Sequence, residues 1–252
     1  MSGKETYNEF SDVSNASKKL KMAVAFEASG KHESALTFTE EALKIQKDYI
    51  DAWVFKGVLL DKFGKCDEAM KCFDKIIELK PTYADAYRLK GATLVSLNKL
   101  EKAAECFGKA IELDPMDFEL RQRLAAIFQK LKKFEDALKC YQEILKHKPD
   151  DPTIHYLIGI TFSNTGDSER ALAAFNEALR LKPDFTNALI AKGIILGKMG
   201  RKEEAKLCAD KVLKLKSEAG EEESVQNSTN DSIKQGYDAA QKKFRQAFSP
   251  DS

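Results

Sequence analysis

The sequence has almost no excess of charge: 41 basic side chains stand against 40 acidic ones in 252 residues, a net charge of +1. The long-range field that gathers DNA, RNA or an anionic membrane around a basic protein is therefore missing at the level of the whole chain. Long apolar runs are missing too, since none approaches the ~18 residues a membrane-crossing helix needs. The N-terminus MSGKETYNEFSDVSNASKK lacks the charged-then-apolar layout of a secretory leader. The expected compartment is the cytoplasm, where the glycosylation-like patterns at Asn15, Asn227 and Asn230 have no chemical consequence.

Residues that carry catalysis are scarce. There are three histidines, His32, His147 and His155, and no two of them have the i, i+4 spacing of a helical zinc site. No G-x-S-x-G nucleophile motif occurs. The segment GIILGKMG at Gly193 to Gly200 has three residues between its glycines where a phosphate loop has four, and Met199 where a hydroxyl must reach magnesium. No cofactor, no metal and no enzymatic activity are expected.

Proline is also scarce, with six in the chain, yet four of them, Pro81, Pro115, Pro149 and Pro183, are spaced 34, 34 and 34 apart. A fixed interval of that length marks a repeat architecture. Placing each proline late in a 34-residue unit gives starts at Ala16, Ile50, Ala84, Phe118, Pro152 and Thr186 with no insertion or deletion. The twentieth position is then alanine in every unit, Ala35, Ala69, Ala103, Ala137, Ala171 and Ala205, and the eighth is always Ala or Gly. Small residues on two antiparallel helices allow a close approach, with large side chains filling the space around them. Those stand at position eleven (Phe26, Leu60, Leu94, Phe128, Phe162, Leu196) and at position twenty-four of the inner units (Phe73, Phe107, Tyr141, Phe175).

Position fifteen holds Gly30, Gly64, Asn98, Gly166 and Gly200, residues suited to the left-handed end of a helix; Lys132 alone breaks the pattern. Three residues on, Glu33, Asp67, Glu101, Glu135, Glu169 and Glu203 place a carboxylate in the first turn of each second helix, where the helix dipole favours it. Cys72, Cys106, Cys140 and Cys208 share position twenty-three. Stacked helix pairs lie at least ~8–10 Å apart, too far for a disulfide, which needs Cα atoms within ~7 Å. These thiols are expected to pack as small hydrophobes.

With these columns in place, the chain resembles the tetratricopeptide-repeat (TPR) proteins, and AWVFKGVLLDKFGKCDEAMKCFDKIIELKP, Ala52 to Pro81, is its best single match. The resemblance covers residues 16–219 and implies an all-α fold, a right-handed α-α superhelix. Its expected organisation is an N-terminal extension (1–15, flexible), repeats at 16–49, 50–83, 84–117, 118–151, 152–185 and 186–219, a polar, acidic flexible linker at 220–231, and a C-terminal amphipathic helix at 232–248. That last helix is read from Ser232 and Gln235 at capping-box spacing and from the stripe Ile233, Tyr237, Ala240, Phe244 and Phe248.

In such a superhelix the first helix of each pair lines a concave groove through positions two, five, six, nine, twelve and thirteen. The resemblance thus implies a binding wall of Val54, Phe55, Val58, Leu89, Ala92, Val95, Tyr156, Leu157, Ile160, Ile190 and Ile194, to which Arg88 and Arg123, with Lys62, Lys130 and Lys198, add a preference for acidic partners. Packing against neighbouring repeats is the competing role for each apolar residue, and a solvated charge for each cation. An apolar groove suits an extended peptide or an amphipathic helix of another protein. The expected function is a non-catalytic scaffold or adaptor binding such a partner. The alternatives are a co-chaperone-like or regulatory protein autoinhibited by residues 232–248, whose plainer role is to cap the last repeat, and an RNA-binding helical-repeat protein, which the neutral charge and apolar wall disfavour. TPR domains that clamp the C-terminal carboxylate of chaperones carry Lys and Asn at fixed groove positions; here only Arg123 fits its column, the others being occupied by residues such as Val54, Val58, Leu89 and Glu119.

Overall fold

Apolar residues recur along the chain at helical spacing, and the breaks fall where a left-handed residue or a proline interrupts the hydrogen-bond ladder. The result is a succession of short helices. The computed structural model describes residues 3–218, with side chains from residue 14 onward. All regular structure among these residues is helical: α1 (Gly3–Ala28), α2 (His32–Ile45), α3 (Ile50–Lys62), α4 (Cys66–Leu79), α5 (Ala84–Ser96), α6 (Leu100–Leu113), α7 (Phe118–Lys130), α8 (Phe134–His147), α9 (Pro152–Thr165), α10 (Ser168–Leu181), α11 (Thr186–Lys198) and α12 (Lys202–Glu218). Each odd-numbered helix packs against the even-numbered helix that follows it. From α3 on, the odd helices begin 34 residues apart. Residues 3–15, expected as a flexible extension, are helical here and continuous with α1. The expected linker at 220–231 and helix at 232–248 lie outside the described residues.

The turn inside each hairpin is the same device repeated. The N–H of Lys31, Lys65, Lys99, Lys133, Asp167 and Arg201 donates to the carbonyl five residues back, on Phe26, Leu60, Leu94, Phe128, Phe162 and Leu196, over 2.8–3.0 Å. That closing bond requires the residue before each donor to take positive φ. Gly30, Gly64, Gly166 and Gly200 do so at +73° to +83°, Asn98 at +54° and Lys132 at +57°. Lys132 is therefore held in the same left-handed geometry despite its Cβ, because the six-residue closure leaves no alternative path.

Inside the hairpins, Ala35, Ala69, Ala103, Ala137 and Ala171 are fully buried. Aromatic rings of the even helices lie directly on glycines of the odd ones. A Cβ built on Gly57 would sit 2.5 Å from Cε1 of Phe73, one on Gly91 would meet Phe107 at the same distance, and one on Gly159 would collide with Phe175. These buried rings are among the larger apolar contributions, at roughly 1.5–3 kcal/mol for each. The core does not stop at a hairpin: Leu60 of α3, Ala69, Cys72, Phe73 and Ile76 of α4, and Ala86 of α5 form one buried cluster. Even helices thus serve two odd ones.

The chain divides into two compact units, Met1–Pro149 and Asp150–Ser252. The first holds α1–α8 and the second α9–α12.

The strained turn at Lys132 yields a test. A left-handed non-glycine residue costs about 1–2 kcal/mol, partly offset by the extra freedom glycine has when unfolded. Lys132→Gly should stabilise the chain by roughly 0.5–1 kcal/mol, read as a higher urea midpoint at unchanged m-value.

Candidate functional site

An odd helix commits one side to the core: Ala52, Gly57 and Leu60 in α3, and Ala86, Gly91 and Leu94 in α5, are all buried. At 3.6 residues per turn, the fifth, sixth and ninth positions point to the opposite side. In the first unit this outer face runs over α1, α3, α5 and α7. Its ninth-position column is Val24, Val58, Ala92 and Ala126, all exposed, with Val58 at 44%. Val24 and Ala126 were not among the expected binding residues; the 34-residue register alone would have included them.

The remaining expected residues of this unit divide between face and core. Val54 and Leu89 are half-buried and pack against the Phe73 cluster, while Phe55 and Val95 are half-buried. Arg88 and Arg123 are exposed but paired within their own helices. Arg88 donates to Oδ1 of Asp85 through Nε at 2.9 Å, and Arg123 donates to Oε1 of Glu119 at 2.6 Å. Exposed pairs of this kind contribute about 0–1 kcal/mol, so a partner carboxylate would replace one acid by another. Lys62 donates to Glu27 at 2.6 Å, and Glu27 also contacts Nδ1 of His32 at 2.5 Å. The Lys62 ammonium, followed by the His32 ring, holds the Glu27 carboxyl below its ordinary range. This clamp ties together α1, α2 and α3.

In the second unit the face is formed by α9 and α11. Tyr156 and Ile160 lean on the cluster of Ala171, Leu172, Phe175, Ile195, Leu196 and Cys208, and the Tyr156 ring centroid lies 5.2 Å from that of Phe185 and 6.0 Å from that of Phe175. Leu157 is half-buried. Ile190 and Ile194, one turn apart on α11, are exposed, Ile194 at 55%. α9 contains no Asp, Glu, Lys or Arg, and α11 contains no acidic residue. Thr153 and Asn164 of α9 and Asn187 and Lys198 of α11 are exposed and stand at positions two and thirteen of their repeats.

All five cysteines are free thiols, three of them buried. Burial pushes Cys72 and Cys140 up to about 11 and raises Cys106 and Cys208. Cys66, at the start of α4, is raised by burial and by the neighbouring Asp61 carboxylate. No helix among the described residues is long and apolar enough to cross a membrane.

Consecutive antiparallel helix pairs, closed by one turn type and sharing cores from pair to pair, define a helical-hairpin repeat protein. Family models agree on which kind: residues 50–83 and 84–117 each match the tetratricopeptide repeat, and residues 120–239 match the model described as Cilia and flagella-associated protein 70 middle TPR-like domain. The chain is a tetratricopeptide-repeat protein with an all-α solenoid fold. No curated protein matches it by sequence. Among solved structures it is similar to YrrB, a TPR protein with an unusual peptide-binding site, at 22% identity and a TM-score of 0.58, over 71% of this chain and 92% of that one. It is also similar to the ArsTM double mutant of MamA RS-1, at 19% identity, TM-score 0.59, 68% and 96% coverage. MamA 41-end from Desulfovibrio magneticus RS-1 gives 20% identity, TM-score 0.57, 69% and 97% coverage. At these identities the likeness concerns the fold.

The buried thiols give the expected outcome of a labelling experiment. With acidities near 11, about one in a thousand Cys72 or Cys140 side chains is thiolate at pH 8. Peptide mapping after treatment with an aromatic disulfide should find both unlabelled in native buffer, and all five cysteines labelled in urea.

Proposed function

We propose that this chain is a protein-interaction scaffold whose odd-helix faces hold a segment of a partner protein, an extended peptide or an amphipathic helix. The observation that supports this best is the exposed apolar column, Val58 in the first unit and Ile190 with Ile194 in the second. None of these side chains is needed to close the hairpin cores, which are completed by the opposite side of the same helices. Leaving them in water has a cost that covering them would recover, about 1.5–3 kcal/mol for each side chain fully buried.

The second-unit face suits an apolar segment best. Covering ionised groups carries a desolvation cost, and α9 has no ionised carboxylate, lysine or arginine to desolvate. The exposed hydroxyl and amide side chains of Thr153, Asn164 and Asn187 on the same two helices can hydrogen-bond a peptide backbone, as the few polar groups that orient a ligand on an apolar site do. Lys198 adds one cation at the end of α11. That YrrB, a protein of this fold, has a peptide-binding site supports the reading.

Substitution on the face separates binding from folding. Ile190→Asp with Ile194→Asp should leave helix content and melting temperature close to wild type, since both side chains are exposed. The double variant should lose proteins co-purified through the second unit by on the order of 100-fold, from the transfer energy of two buried isoleucines. Val58→Asp makes the same test of the first unit. Quantitative mass spectrometry of the captured proteins reads the result, and an unaltered set in both variants sinks the proposal. Leu89→Asp is unsuitable, because Leu89 packs against the Phe73 cluster and its loss would unfold α5 from α4.

A further inference from the structure

Exposed apolar side chains and an uncommitted cation coincide at one place on the odd helices. Of the five cations expected on their outer faces, Lys62 is paired with Glu27, Arg88 with Asp85 and Arg123 with Glu119. Lys130 and Lys198 are exposed and stand in no ion pair among the described residues. Lys130 follows Ala126 on α7, a side chain with little apolar surface to offer. Lys198 follows Ile190 and Ile194, so that two exposed isoleucines and an exposed ammonium occupy three successive turns of α11.

The charges along this stripe give it a direction. α9 contains no ionised side chain of Asp, Glu, Lys or Arg, and α11 contains no acid. Carboxylates in the turns that follow these helices are already held: Asp167 accepts from the Arg170 backbone N–H at 3.0 Å, and Glu204 accepts from Nε and Nη2 of Arg201 at 2.6 and 2.8 Å. The opposite end of α11 starts two residues after the exposed Asp184. A ligand carboxylate is therefore repelled at the Asp184 end and drawn to the Lys198 end. The carbonyl end of α11 carries a partial negative charge there, which makes the attraction depend on Lys198.

Spacing selects the form of the ligand. Residues four apart on a helix are about 6 Å apart along its axis at ~1.5 Å per residue. In an extended chain, alternate side chains recur on one side at about 6.6 Å. A peptide lying along α11 thus presents every second side chain to Ile190, Ile194 and Lys198 in turn. Its unpaired backbone groups need partners, which a helix would not, and the exposed Thr153, Asn164 and Asn187 on the same two helices can supply them. Gly197, between Ile194 and Lys198 in sequence, has nothing within 4 Å of a Cβ built on it beyond its own helix and chain neighbours, so a ligand backbone meets no side chain at that point.

We propose that the α11 stripe takes an extended, acidic segment of another protein, two apolar side chains one residue apart followed at the same interval by aspartate or glutamate, with the apolar pair on Ile190 and Ile194 and the carboxylate over Lys198. This names the partner chemistry of the second-unit face and rests on the scaffold reading. A chain-terminal carboxylate fits less well, because such ends are captured by several converging donors and α11 offers a single ammonium.

Randomised peptide libraries, one amidated and one with free C-termini, sorted for binding to the full chain, test it. At low ionic strength the retained amidated peptides should carry apolar residues two apart, with Asp or Glu favoured over Lys or Arg at the next alternate position by roughly tenfold, attraction and repulsion each contributing about threefold for an exposed pair. The ratio should fall toward one near 1 M salt, where charges are screened beyond ~3 Å. Lys198→Arg should keep the preference, and Lys198→Glu should reverse it while Ile190 and Ile194 are still required. Retention that needs both isoleucines but shows no acidic preference, or one that Lys198→Glu does not move, overturns this assignment and leaves the scaffold reading standing. Apolar residues enriched three or four apart would seat a helix, and binding confined to the free C-termini would give Lys198 to a chain end; either overturns it. Peptides retained equally by the Ile190→Asp, Ile194→Asp variant, or no peptide retained at all, remove the face itself and the proposal with it.

Discussion

The contact of an aromatic ring with a glycine, Phe73 on Gly57, Phe107 on Gly91 and Phe175 on Gly159, is what the rest of the structure depends on. It sets how near the two helices of a hairpin come, and a fully buried alanine at the twentieth position admits the same approach from the other side. Because the ring also reaches the next odd helix, as the shared cluster of α3, α4 and α5 shows, closing one hairpin prepares a surface for the following one. A hairpin by itself leaves half of that surface in water, so stability accumulates along the array through neighbour contacts.

Polar interactions follow the same register without carrying the fold. Lys56 pairs with Glu40 and Lys90 with Asp74, each linking an odd helix to the even helix before it across sixteen residues. Such partly exposed pairs contribute about 0–1 kcal/mol. Their regularity is a consequence of the repeat geometry, as are the first-turn carboxylates of the even helices. What the packing leaves over is the outer side of the odd helices. The proposed binding is placed on those of its side chains, such as Val58 and Ile194, that stand in water.

The helix ends were legible because they answer to local rules: a proline stops a helix and a left-handed residue closes the turn. Lys132 shows the limit of reading them by residue type, since it takes positive φ at +57° where sequence preference calls for glycine or asparagine. The turn's hydrogen bonds impose the geometry, and the residue pays its strain. The faces were legible as a set of positions and not as a set of exposures. Leu89 and Ile194 share an outward-facing register, yet the first rests on the Phe73 cluster and the second stands in water. The pairing of Arg88 with Asp85 and Arg123 with Glu119 follows from i, i+3 and i, i+4 spacing, and it leaves neither arginine a vacant cation.

The amino-acid sequence by itself determined the period, the ends of the helices and the small and large residues that meet inside each hairpin, because all of these depend on a residue's own backbone and volume. Only the tertiary structure decided which outward side chains stay exposed and which cations are already paired. The reason is that exposure belongs to neighbours: the reach of a side chain on the next helix decides whether a given residue meets protein or water.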